Sequence, residues 1–204
     1  MLEVFNLVGV RGERRLFDCL NFQIMPGGCL SVEGKNGSGK TTLLRMLAGI
    51  TKPAAGTIHW KGHPLDQQWC EYRRDVLYCG HAVGLKDDLD ATENLQIMAA
   101  LAGVSITRSR VCEALHKVGL AGRESLPVHA LSQGQKRRVS LTRLLLQPSA
   151  LWILDEPLTA LDRVAVKWLG NVIDQHLQND GMVILTSHQH LPLVSTSHII
   201  RLGS

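Results

Sequence analysis

The apolar residues of this chain follow two patterns, and the change between them divides it. Residues 29–33, 76–79, 150–154 and 181–185 are short apolar runs bounded by glycine, proline or charge. Runs of that length predict strands, and the unbroken ones at 150–154 and 181–185 predict strands buried on both faces of a parallel sheet. Residues 1–7 and 20–25 predict two further strands around a polar turn at 11–15, residues 56–62 a short strand between glycines, and residues 199–202 a final one. A helix is expected over 41–48, with Leu43, Leu44 and Leu47 inward and Ala48, Gly49 and Pro53 marking its end.

From Gly80 to about Leu146 the spacing becomes helical. Asp90 and Glu93 stand at capping-box distance, and Leu95, Met98, Ala99 and Ala102 follow at helical intervals before Gly103. A second helix is expected over 107–118, stopped by Gly119, and a third after Ser132 through Val139, Thr142 and Leu146. These segments predict one α/β unit over 1–204, with a mostly parallel sheet, N-terminal antiparallel strands, and a helical lobe of about 81–146 inserted in it.

Composition narrows the class. A length of 204 residues suffices to bury a full core. Five cysteines, odd in number and without a CxxC pair, point to a reducing compartment rather than a disulfide scaffold. No apolar run reaches membrane-spanning length, and the opening residues, with Glu3, lack the basic-then-apolar order of a signal peptide. A net charge of +4 allows contact with an acidic surface without implying nucleic acid, and three Phe, two Tyr and four Trp leave little for base stacking.

The chemistry starts at Gly34-Lys35-Asn36-Gly37-Ser38-Gly39-Lys40-Thr41, followed by Thr42. A glycine, four residues, then Gly-Lys-Thr between a strand and a helix is the phosphate-loop pattern. Glycines let backbone N–H groups come close to phosphate oxygens, Lys40 can reach the β- and γ-phosphates, and the Thr41 hydroxyl can ligate Mg²⁺. The helix that follows points its dipole at the anion. Farther along, the strand at 150–154 ends in Asp155-Glu156-Pro157, where α/β sheets bind ligands. Asp155 suits the shell of a Mg²⁺ ion and Glu156 a base for the attacking water. Ser132-Gln133-Gly134-Gln135 is by itself a capping box opening a helix. His188, at the end of the strand at 181–185, is placed to point at the γ-phosphate.

In this order the phosphate loop, Leu131-Ser132-Gln133-Gly134-Gln135, Leu151–Pro157, Ala160-Leu161-Asp162 and His188 resemble the ATP-binding-cassette ATPases over nearly the whole chain. The resemblance implies ATP as substrate with Mg²⁺, and two copies stacked head to tail. Ser132, Gln133, Gly134 and Gln135 of one copy would then close over ATP held by the other's Lys40 and Asp155, with Asp162 linking the two sites across the interface. Within the family, Gly80–Lys86, Ala91–Leu95 and Leu151–Pro157 are most similar to the cytochrome c maturation branch. That implies integral membrane subunits as partners, a periplasmic haem chaperone as beneficiary, and a peripheral place on the cytoplasmic face of a bacterial inner membrane.

Three positions depart from the family pattern. His81 stands where most members have a glutamine that senses Mg²⁺ and the membrane partner, and imidazole is a poor ligand for so hard an ion. Arg11 stands about where an adenine-stacking aromatic is usual, and its planar guanidinium can stack on the base. Gln133 replaces a commoner glycine. Two other readings stay open at this point: an ATPase subunit exporting a lipid, drug or polysaccharide, and a soluble cassette acting on ribosomes or DNA. The second class usually carries two cassettes or a long coiled-coil insertion, and this chain has neither.

Overall fold

The structure, a computed structural model, describes residues 1–187 and 197–203. The chain opens with β1 (Leu2–Arg11) and β2 (Arg14–Ile24), joined antiparallel through a turn at Gly12-Glu13. Next come β3 (Cys29–Gly34), α1 (Lys40–Leu47), β4 (Ala55–Trp60), β5 (His63–Pro64), α2 (Trp69–Asp75) and β6 (Val76–Cys79). Then α3 (Ala91–Leu101), α4 (Arg108–Lys117) and α5 (Gln133–Leu146) precede β7 (Leu151–Asp155), α6 (Arg163–Gln178), β8 (Met182–Thr186) and β9 (Ser197–Leu202).

Among the described residues two sheets result: an antiparallel one in the order β2-β1-β4-β5, and a parallel one in the order β6-β7-β8-β3-β9. The α/β phosphate-loop fold expected from the pattern is therefore present. Alternation within β7 shows how the layers are glued. Leu151 and Ile153 pack with Leu43, Leu44 and Leu47 of α1 and with Leu2 and Trp60 of the antiparallel sheet. Trp152 and Leu154 face the other way, onto Leu141 and Leu144 of α5 and Leu169 and Ile173 of α6. Both faces of β7 are apolar because both are covered, and each such side chain contributes roughly 1.5–3 kcal/mol on burial.

The helices between β6 and β7 have a core of their own, which includes Leu95, Val111, Leu115 and Val139. α5 belongs to two cores at once. Leu141 and Leu144 face the sheet, while Val139 and Leu146 face α3 and α4. It is the joint between lobe and sheet.

Several elements differ from what the pattern predicts. β1 and β2 are longer than the strands expected at 1–7 and 20–25, and the turn shrinks to two residues, so Arg11 closes a strand instead of opening a turn. One face of this sheet is wet, so polar residues that suggest a turn sit comfortably in a strand. Asn6 and Cys19 take positive φ (48° and 50°) where the register of the pair shifts, which hides the period of two. Helices α2 and α6 have no counterpart among the predicted elements. In α6, Gly170 interrupts the pattern that its buried Leu169, Ile173 and Leu177 would otherwise make plain.

Candidate functional site

Parallel pairing aligns the carboxyl ends of β3, β7 and β8: Val32 lies beside Thr186, and Thr186 beside Asp155. Beyond these ends opens a cleft of about 550 Å³, lined by Asn36, Gly37, Gly39, Lys40, Thr41 and Thr42 of the loop and helix. Asp155, Glu156 and Thr159 line a second side, and His81, Arg11, Arg14 and Leu16 close it in.

The loop needs its first glycine for steric reasons. Gly34 has φ 151°, and a Cβ there would lie 2.6 Å from the Leu202 carbonyl oxygen and 2.6 Å from Ser38 Oγ. Lys40 crosses the loop, its Nζ donating to the carbonyls of Gly34 (2.7 Å) and Lys35 (3.3 Å). An ammonium has three N–H groups, so one is left for an anion. α1 starts at Gly39 without a side-chain cap, leaving its N-terminal dipole open to the cleft.

The acidic pair is held by Thr186, whose role the sequence pattern does not disclose. Its hydroxyl donates to Asp155 Oδ1 (2.8 Å) and accepts from the backbone N–H of Glu156 (2.9 Å). Asp155 is 1% exposed, and its Oδ2 is buried without a hydrogen-bond partner. A buried carboxylate oxygen without a donor is costly unless something positive meets it. It lines one cleft with Thr41 of the phosphate-binding loop, a setting that fits a hard divalent cation with oxygen ligands. Glu156 stands in the left-handed region at φ 50°, which turns the chain sharply after the strand.

Two sides of the cleft are less regular. His81 is exposed on the segment after β6 and reaches the cleft wall. The loop behind it is knotted by buried Asn94, which accepts from Lys86 N–H (2.7 Å) and donates to the carbonyls of Lys86 (3.0 Å) and Asp90 (2.9 Å). That is the physical reason for the asparagine four residues after the Asp90 cap. Arg11 does line the cleft, and Arg14 and Leu16, which the pattern did not single out, stand beside it.

Ser132, Gln133, Gly134 and Gln135 are not brought to this cleft. Ser132 and Gln135 form the expected reciprocal cap of α5, with Gln135 Oε1 accepting from Ser132 N–H at 2.9 Å. Gly134 packs on the turn before α6, where a Cβ would fall 2.6 Å from the Ala160 carbonyl oxygen. Asp162 caps α6 by accepting from Ala165 N–H (2.8 Å) and pairs with Arg138 of α5. The Ala165 N–H, and then the Arg138 charge, hold the Asp162 carboxyl below the usual carboxylate range. His188 lies outside the described residues.

A phosphate loop at the carboxyl end of an inner strand of a parallel sheet, sharing a cleft with two strand-end carboxylates, with a helical lobe beside it, defines a nucleoside-triphosphatase of the cassette type. The ABC transporter family model matches residues 17–159. A cytochrome c biogenesis ATP-binding export protein of Pseudomonas aeruginosa is 59% identical over 204 residues, covering 100% of both chains. One from Cupriavidus metallidurans is 59% identical, covering 100% of this chain and 98% of its own. Among solved structures, an ATP-binding protein of a putative ABC transporter from Pyrococcus furiosus matches with TM-score 0.83 at 26% identity, covering 98% of this chain and 96% of that one. A bacterial ABC transporter cassette solved as a dimer matches in fold with TM-score 0.86 at 23% identity, covering 99% and 94%. The chain belongs to the ABC transporter family of ATP-hydrolysing proteins and groups there with the cytochrome c biogenesis ATP-binding export proteins.

Proposed function

We propose that this chain is the ATP-hydrolysing subunit of a membrane complex in c-type cytochrome biogenesis, where it drives haem export or release of a loaded haem chaperone. The observation that carries the chemistry is the single cleft joining Lys40, Thr41, Asp155 and Glu156. Lys40 and the open start of α1 hold the phosphates, and Arg11 stacks on the base. Glu156 takes a proton from water as its oxygen attacks the γ-phosphorus; the bond to the β-phosphate oxygen breaks, and ADP and phosphate leave. Thr41 and Asp155 would hold Mg²⁺, which when bound neutralises phosphate charge.

Ser132, Gln133, Gly134 and Gln135 stand away from their own chain's cleft, which supports a second copy supplying them to it head to tail. Asp162, already tied to Arg138 and to α6, would sense the neighbouring site through that connection. His81 sits where cleft and lobe meet and would couple phosphate to the membrane partner. No helix among the described residues is long and apolar enough to cross a membrane. In this reading the chain sits peripherally at the cytoplasmic face of the inner membrane and passes its work to separate integral membrane subunits. Affinity purification from native membranes tests this directly. Integral membrane subunits that carry or hand over haem are expected with the chain, and recovery with subunits for a lipid, drug or polysaccharide contradicts the reading.

A further inference from the structure

A charged side chain sits inside the joint between lobe and sheet and serves no part of the chemistry above. Arg137, in the second turn of α5, is 3% exposed. Its Nη2 donates to the carbonyls of Asp155 (2.8 Å) and Glu156 (2.7 Å), and Nε reaches that of Pro157 (3.4 Å). Its Nη1 donates to the carbonyls of Gly80 (2.8 Å) and His81 (3.4 Å). A guanidinium has five N–H groups in a rigid fork, and here the fork spans the ends of β6 and β7.

Burying a cation is expensive, and burial does push the Arg137 pKa down. Apolar packing would be a cheaper filling, so the geometry asks for another reason. Glu156 supplies it. Its left-handed backbone is gripped from both sides, the N–H by Thr186 and the carbonyl by Arg137. The same guanidinium bonds the His81 carbonyl on the segment after β6, and other residues of α5 reinforce the hold. Lys136 Nζ donates to Asp87 Oδ1 (2.9 Å), and Arg143 Nη1 to the Tyr78 carbonyl (3.2 Å). One helix face thus holds the segment carrying His81 and the turn carrying Glu156 in fixed relation.

We propose that Arg137 is a positioning residue for hydrolysis: it fixes Glu156 and His81 to the helix that begins with Ser132, so that movement of the lobe moves both together. The proposal rests on Glu156 being the base. The test replaces Arg137 with Lys, which keeps the charge without the fork, and with Gln, in the full chain. ATP affinity should stay within about threefold, because no phosphate-holding group changes, while kcat should fall by roughly 10²-fold, the scale of an ångström of misplacement. In single-turnover assays with labelled ATP, adding Arg137→Gln to Glu156→Gln should cost little more than Glu156→Gln alone, since residues acting as one unit are not additive. Should the lysine variant fail to fold, the glutamine variant carries the same comparison. Unchanged kcat in a folded Arg137 variant, or fully additive losses in the pair, overturns the proposal. Wild-type turnover in Glu156→Gln alone overturns the base assignment instead, so the two failures can be told apart.

Discussion

At the scale of single residues, one cleft holds groups of different chemistry. Lys40 is bonded to the carbonyls of its own loop (2.7 and 3.3 Å), which stiffens the phosphate cradle as well as charging it. Lys40→Ala should therefore lower ATP binding and turnover together. Glu156→Gln keeps size and hydrogen bonding but cannot accept a proton, so ATP should bind with near-normal affinity while kcat falls by roughly 10²–10⁴-fold. Equilibrium binding of a fluorescent ATP analogue, measured beside steady-state turnover, separates the two. Parallel losses in both variants would contradict the division of labour. Thr186 and Arg137 lay beyond the reach of sequence reasoning for a simple reason. Each acts by bonding backbone or a neighbour's carboxylate across eighteen or more positions of chain, and no spacing rule encodes such contacts.

At the scale of elements, β7 and the phosphate loop were the most legible, because an unbroken apolar run and a glycine pattern each have few physical explanations. The reciprocal caps of α3 and α5 were legible too, since both partners lie within one helical turn. Less legible was α6, which also carries a half-buried titratable ring at its last turn. His176 stacks on Trp152 of β7 with ring centroids 3.7 Å apart and planes within 2°. Desolvation holds its pKa down at about 4, against an ordinary 6.5. Above pH 6.5 the ring is neutral folded or unfolded and costs nothing. As pH falls from 6.5 towards 4 the unfolded chain takes up the proton first, so stability is lost across that window and levels off below it. His176→Phe keeps a stacked ring and removes the titration. Between pH 7 and pH 5 the variant should lose less stability than the wild type, by on the order of 1 kcal/mol once partial exposure of the ring is allowed for. Thermal unfolding at the two pH values checks this, and equal losses in both proteins would show that the ring is not desolvated.

At the scale of the molecule, the proposal is that a second copy completes the nucleotide cleft. Ser132, Gln133, Gly134 and Gln135 are not among the residues that line the cleft, and the helices of the lobe pack on the sheet chiefly through α5. The central claim is that turnover by this chain drives maturation of c-type cytochromes. The most direct measurement stains covalent haem in membranes of a strain whose only copy carries Glu156→Gln. Apocytochromes and haem should still be made there, mature c-type cytochromes should not accumulate, and the haem chaperone should stay loaded. Normal levels of covalent haem in that strain would contradict the claim.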